Sequence, residues 1–149
     1  MRRAVKDLGL PLVQLGVRAL CLEEVEARRL HGVTFHDAAD LVRRGIPDSL
    51  LPPDFPTRVY VTFDVDGLDP SIMPATGTPV PGGLGWYEAL DLAQRAIAGR
   101  EVLGFDVVEL APVPGLHAAD FAAARLTYAL MGLVERERRL SRKSTSVRP

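Results

Sequence analysis

The sequence has little of what marks secreted, membrane or nucleic-acid-binding proteins. Cys21 is the single cysteine in 149 residues, so no disulfide forms within the chain, and a reducing cytoplasm is the expected location. Lysine plus arginine number 18 and aspartate plus glutamate 19, a balance that gives no electrostatic footprint for nucleic acid or an anionic membrane. No run approaches the roughly 18 apolar residues of a membrane span, and no export signal follows Met1. These absences predict a soluble protein that acts on a small molecule or on another protein.

Short apolar runs alternate with helical patterns, which predicts an α/β fold with a parallel sheet and helices on both faces. The predicted strands are Leu12–Val17, Val33–Phe35, Val59–Phe63 and Val102–Val108. The predicted helices are Leu22–Leu30, His36–Arg44, Trp86–Ala98 and His117–Glu137. The apolar face expected for the last helix consists of Phe121, Leu126, Tyr128, Leu130 and Leu133. We expect one domain over residues 1–137 and a basic, flexible tail over residues 138–149.

Three aspartates follow the third predicted strand, and no basic residue lies between Arg58 and Arg95. Because side chains alternate along a strand, Asp64 and Asp66 are expected to point to the same side, with Cα atoms about 6.5–7 Å apart. Two carboxylates at the carboxyl edge of a parallel sheet have raised pKa values or hold a cation, and oxygen ligands favour Mg²⁺, Ca²⁺ or Mn²⁺. A purely turn-capping role stays open for both aspartates, and we favour it for Asp69.

The segment that follows the aspartates is rich in glycine and proline. Nine of the 19 residues from Gly67 to Gly85 are of these two types. Glycine permits tight turns and proline fixes the backbone, so this composition predicts a shaped, fairly rigid loop. Such a loop beside an acidic strand end suits the wall of a site.

Two stretches, in this order, resemble the ureohydrolases, the family of arginases and agmatinases. The first is FDVDGLDPS from Phe63 to Ser71, continued by PATGTP (residues 74–79) and GGL (residues 82–84). The second is GFDVVELAP from Gly104 to Pro112, and VQLGVR (residues 13–18) is more like agmatinases than arginases. The resemblance implies the three-layer, arginase-like parallel sheet, with residues 1–137 as the C-terminal half of an incomplete domain.

The resemblance also implies a chemistry. Enzymes of this family hold two Mn²⁺ ions that share a bridging hydroxide, and they release urea from a guanidino compound. By resemblance, Asp64 would bridge the two metal ions, Asp66 would bind one of them, and Glu109 would accept hydrogen bonds from the substrate guanidinium. Asp106 is expected on the opposite face of its strand from Glu109, in a supporting role.

The chain departs from the family pattern because the blocks that should come first are absent. These blocks are Gly-Gly-Asp-His and Asp-x-His-x-Asp, so four of the family's six metal ligands are missing from the sequence. His31, His36 and His117 stand outside the family motifs, and we expect helix-end or surface roles for them. Mn²⁺ binding by the isolated chain is therefore expected to be weak or absent.

Two functions remain open at this point. The first is an agmatinase-like, Mn²⁺-dependent hydrolase of a small guanidino substrate that is active only with the missing N-terminal half. The second is a non-catalytic ureohydrolase fragment that serves as a binding or assembly module. Strands cut from a larger sheet expose an edge, so we expect a homo-oligomer or a complementing N-terminal half as partner, and neither nucleic acid nor a membrane.

Overall fold

The computed structural model describes residues 1–145, with side chains described through Lys143. Within that range, five α-helices alternate with four strands. In chain order they are α1 (Arg2–Lys6), β1 (Val13–Leu15), α2 (Leu22–Leu30), β2 (Thr34–His36), α3 (Ala38–Arg44), β3 (Arg58–Asp64), α4 (Trp86–Ile97), β4 (Glu101–Val108) and α5 (His117–Thr145). The α/β alternation is confirmed, and α1 is an addition that the sequence pattern did not predict.

All strand pairing among the described residues is parallel, as predicted, but the strands form two separate pairs. β1 pairs with β2, from Val13 opposite Thr34 to Leu15 opposite His36. β3 pairs with β4 along its whole length and ends with Asp64 opposite Val108. The carboxyl ends of β3 and β4 therefore lie side by side.

One hydrophobic core joins the two pairs of strands. Leu41 of α3 and Leu50 belong to the same buried cluster as Leu68 and Leu126, and Leu15 of β1 packs against it. Helix α4 contributes the buried stripe Ala89, Leu92, Ala93 and Ile97. The two pairs are thus parts of one packed unit, although no backbone ladder in the described residues connects them.

Helix α5 buries a different stripe from the one that the sequence predicts. Leu126 and Leu130 are buried as expected, but Phe121 and Tyr128 are each 68% exposed. The buried positions Ala119, Ala123, Leu126 and Leu130 are spaced at three or four residues, so they share one face of the helix. Phe121 follows the buried Ala119 by two residues, which is a rotation of about 200° around the helix axis, so its side chain faces away from the core.

The same helix is longer than predicted, because it runs through Thr145 and not only to Glu137. Glu137 is only 8% exposed, and its carboxylate accepts a hydrogen bond of 3.0 Å from the backbone N–H of Gly99. Arg139 then pairs with Glu135 at 2.8 Å on the next turn. Residues 138–145 of the predicted tail are therefore helical, whereas residues 146–149 lie outside the described residues, and the flexibility of the tail stays a prediction.

No helix within residues 1–145 has both the length and the apolar composition that crossing a membrane requires.

Candidate active site

Strand β3 delivers the acidic motif to the edge of its sheet and then stops. Asp64 is its last residue, and Val65–Gly67 form a single turn of 3₁₀ helix that is anchored by the completely buried Val65. Asp66 therefore lies on a turn and not on the strand, so the alternation that we used to place it does not extend to this position. The position of the Asp66 carboxylate is therefore set by the 3₁₀ turn and not by the alternation of side chains along β3.

Asp64 nevertheless lies within electrostatic range of three other carboxylates. The pKa of Asp64 is raised above its ordinary value, first by partial desolvation and then by the negative charges of Asp66, Glu109 and Asp106. Repulsion of this kind favours either protonation or a bound cation. We call these four carboxylates, Asp64, Asp66, Asp106 and Glu109, the acidic cluster, and the roles predicted for Asp64, Asp66 and Glu109 stay predictions.

Glu109 reaches this cluster through an unusual backbone conformation. Its φ is +67°, and among the described residues it is the only residue other than glycine with a positive φ. A residue with a side chain adopts this left-handed conformation at a cost, and such residues concentrate at functional sites. The following residues are held in place, because Leu110 forms a bridge with Thr76 and the N–H of Ala111 donates to the carbonyl of Ala75 at 2.9 Å.

Asp106 acts on Asp64 from the neighbouring strand, and its charge has the smallest effect of the three carboxylates. It pairs with Thr62 in the β3–β4 ladder, and paired residues of a parallel sheet share a face, so its side chain lies on the same face as Asp64. The hydroxyl of Tyr60 donates to Oδ2 of Asp106 at 3.1 Å, and Oδ1 is buried without a hydrogen-bond partner in the described part of the chain. Alternation does not separate Asp106 from Glu109, because β4 ends at Val108 and Glu109 has left-handed geometry.

The glycine- and proline-rich loop is fastened by Asp69. Its Oδ1 accepts hydrogen bonds from the N–H and the hydroxyl of Ser71, and its Oδ2 accepts from the N–H groups of Gly82 and Gly83. The hydrogen bonds from Ser71 contribute most to lowering the pKa of Asp69 to about 2, and those from the two glycines add to the effect. The expected turn-capping role of Asp69 is confirmed, and the same carboxylate also joins the two ends of the loop.

The three histidines lie outside this acidic cluster. Nε2 of His36, at the end of β2, lies 3.0 Å from the carbonyl oxygen of Leu50. His31 caps the C-terminal end of α2, and His117 begins α5. Among the side chains that the structure describes, no group of three or more histidine, cysteine, aspartate or glutamate residues is arranged to hold a metal ion.

Sequence reasoning missed one side chain at the site. The hydroxyl of Thr78 donates to Oδ2 of Asp66 at 2.6 Å, a contact that spans 12 residues of the loop. The PATGTP stretch marks this segment as part of a motif, but the pattern alone does not indicate which of its residues reaches a carboxylate.

Proteins of one family are similar to this chain in sequence. The sequence profile of the arginase family matches residues 1–132. The N(1)-aminopropylagmatine ureohydrolase of Synechocystis sp. is 39% identical over 131 residues, which are 87% of this chain and 43% of that protein. The chain therefore spans less than half the length of this relative.

Solved structures agree with the sequence relatives. The agmatine ureohydrolase of Thermoplasma volcanium superposes with a TM-score of 0.77 at 31% identity, over 93% of this chain and 47% of that one. A triple mutant of a T. brucei arginase-like protein, bound with Mn²⁺, superposes with a TM-score of 0.71 at 29% identity, over 89% of this chain and 45% of that one. The strand ends described above therefore have counterparts in larger proteins of known fold.

Proposed function

The chain belongs to the arginase family, and from this membership and its acidic strand ends we propose that it forms the carboxylate-rich part of a ureohydrolase. The reaction is the hydrolysis of a guanidino compound with release of urea. The observation that supports the proposal is that β3 and β4 end side by side, with Asp64 opposite Val108, the residue before Glu109. Desolvation and the negative charges of Asp66, Glu109 and Asp106 raise the pKa of Asp64 there. A fold keeps such repulsion where a cation offsets it.

The donor set fits a manganese site in part. Asp64 and Asp66 offer hard oxygen ligands of the kind that Mn²⁺ accepts, but Mn²⁺ takes about six ligands, so the two aspartates leave most positions to residues outside this chain. When bound, the metal would supply an activated water and stabilise negative charge. In this proposal Asp64 and Asp66 hold the metal.

In this proposal Glu109 binds the guanidinium group of the substrate. A carboxylate matches the flat, cationic guanidinium through two parallel, charge-assisted hydrogen bonds. The left-handed backbone of Glu109 turns its side chain out of the alternation of β4 and toward the acidic cluster. Names of relatives support a substrate of the agmatine type, because they include agmatine ureohydrolase and N(1)-aminopropylagmatine ureohydrolase.

Activity requires a partner in this proposal, because the chain spans 43% of one relative and 47% of another. We propose that the remaining part of the family's domain complements it, and self-association is the alternative. The unpaired backbone N–H and C=O groups at the edge of a two-stranded sheet can pair with a strand of another chain. A cytoplasmic location is part of the same proposal and rests on the single cysteine.

A non-catalytic assembly module is the second candidate. The observation in its favour is that the described residues contain no complete group of metal ligands. The two candidates differ in what the chain does once the missing ligands are supplied.

The test joins this chain to a complementing half. The chain replaces the matching 47% of the Thermoplasma volcanium agmatine ureohydrolase, and urea release is measured with Mn²⁺ for agmatine, arginine and guanidinobutyrate. We expect activity that is greatest with agmatine. A folded chimera that binds Mn²⁺ but releases no urea from any of these compounds would favour the assembly module.

Two variants assign the roles within the chimera. Glu109→Gln keeps the size of the side chain but removes its charge, so we expect the KM for agmatine to rise while Mn²⁺ is retained. Asp64→Asn is expected to lose Mn²⁺ and activity together. Equal loss of metal in both variants would contradict the separate roles of these two residues.

A further inference from the structure

The loop that follows β3 carries a hydroxyl to one of the two candidate metal ligands. The Oγ1–H of Thr78 donates to Oδ2 of Asp66 at 2.6 Å, which is within the range typical of a hydroxyl bonded to a carboxylate. Both side chains lie at the accessible rim of the site, so burial does not hold either of them in place. The hydrogen bond is therefore the contact that selects an orientation for the carboxylate.

Thr78 is itself held from both sides along the chain. Upstream, Ala75 and Thr76 pair with the segment that follows Glu109. Downstream, Nε of Arg18 donates to the carbonyl of Val80 at 2.7 Å. The free span is thus Gly77-Thr78-Pro79, in which proline fixes one further backbone angle.

Two further anchors fix the loop to the rest of the molecule. Nη2 of Arg18 lies 3.4 Å from the carbonyl of Leu68, so one guanidinium touches both ends of the loop. Asp69 joins the start of the loop to the N–H groups of Gly82 and Gly83. The hydroxyl of Thr78 consequently reaches Asp66 from a fixed frame and not from a freely moving segment.

We propose that Thr78 is a positioning residue, which locks the rotamer of Asp66 so that Oδ2 is occupied and Oδ1 faces the site. The inference rests on the proposed function in assigning Asp66 to the metal, but the geometry that it predicts exists without any metal. A group that orients a ligand in this way commonly changes metal affinity by about 10–100-fold when it is removed.

The experiment compares Thr78→Val with Thr78→Ser in the full chain. Valine keeps the branched shape and loses the hydroxyl, whereas serine keeps the hydroxyl and loses a methyl group. The Hα–Hβ couplings of Asp66 are measured by NMR at pH 7 without metal ions, and the amide spectrum serves as a check on folding. We expect one rotamer in the parent chain and in Thr78→Ser, and averaging between rotamers in Thr78→Val.

Two results would overturn the inference. One is a single, unchanged Asp66 rotamer in Thr78→Val. The other is equal averaging in Thr78→Val and Thr78→Ser, which would assign the effect to the loop and not to the hydroxyl.

A second measurement links the rotamer to metal binding in the complemented chimera. Thr78→Val should bind Mn²⁺ about tenfold more weakly, and Thr78→Ser should stay within about twofold of the parent chimera. If the chimera releases no urea while the rotamer of Asp66 still depends on the hydroxyl, the proposed function fails and the positioning role of Thr78 stands.

Discussion

Gly83→Ala tests whether the site loop depends on a close backbone approach. A Cβ atom at Gly83 would lie 2.6 Å from the backbone N of Asp69 and from the C and O atoms of Leu68. These are backbone atoms, so no side chain can swing away to make room. The two segments would have to separate by roughly 1 Å to reach ordinary contact distance.

The cost of that separation follows from the bonds that join the segments. The N–H of Asp69 donates to the carbonyl of Leu84 at 2.9 Å, and the N–H of Leu84 donates to the carbonyl of Gly67 at 3.0 Å. Overpacking costs about 1–3 kcal/mol, and weakening one such hydrogen bond costs about 1 kcal/mol. We therefore expect Gly83→Ala to lower the free energy of unfolding by about 2–4 kcal/mol, or the Tm by about 6–12 °C.

Gly77→Ala is the matched control in the same loop. A Cβ atom at Gly77 meets nothing within 4 Å, and its φ lies outside the left-handed region. Its Tm should stay unchanged or rise slightly, because alanine reduces the entropy of the unfolded chain. Thermal unfolding followed by far-UV circular dichroism measures both variants, and a Gly83→Ala variant as stable as Gly77→Ala would refute the packing argument.

Four further outcomes are expected from the described contacts. Asp69→Asn should lower the Tm at pH 7, because the lowered pKa of Asp69 stabilises the fold while its carboxylate is charged. The loss of Tm should shrink as the pH falls from the ordinary pKa of 3.8 to about 2, and a loss that is unchanged at pH 2 would contradict this. Asp64→Asn should raise the Tm at pH 7 in the absence of divalent cations, because it removes a charge that the neighbouring carboxylates repel. The gain should vanish below the ordinary pKa of 3.8, where Asp64 is neutral in both the folded and the unfolded chain. A lower Tm at pH 7 would argue against repulsion in the acidic cluster. Leu126→Ala should cost about 2–5 kcal/mol in urea unfolding, since this side chain is completely buried, and a cost below about 1 kcal/mol would mean that α5 packs differently. Glu137→Ala should cost about 1–3 kcal/mol, because it leaves the N–H of Gly99 without its acceptor, and Glu137→Gln, which retains an acceptor oxygen, should recover part of the loss.

The fold could be predicted from the sequence where local patterns are strong. Helix α2 has the predicted bounds Leu22–Leu30, and strand β4 differs from its prediction by one residue. The apolar and β-branched run indicates β4, and the acidic first turn and basic last turn of α2 are favourable at helix ends. Helix α5 continues eight residues beyond its predicted end at Glu137, in a charged stretch with too few apolar residues to show a helical period.

The strand end that carries Asp64 was predictable, but the backbone conformation beyond it was not. Asp64 is found at the end of a strand as expected, because a buried apolar run that meets aspartates indicates a strand edge. The alternation of side chains along a strand does not predict where Asp66 and Glu109 lie. Asp66 belongs to a 3₁₀ turn, and Glu109 has a left-handed backbone. Such conformations are imposed by tertiary contacts, here the buried Val65 and the pairing of Leu110, which a local pattern does not contain.

The central claim is that Asp64 and Asp66 together hold a metal ion at the end of β3, next to Glu109. Crystals of the chimera grown with Mn²⁺ and measured at the manganese absorption edge test this most directly, because anomalous scattering locates the metal independently of any assumed ligand. The account predicts a manganese peak within bonding distance of carboxylate oxygens of both Asp64 and Asp66. A peak that contacts neither aspartate would contradict it.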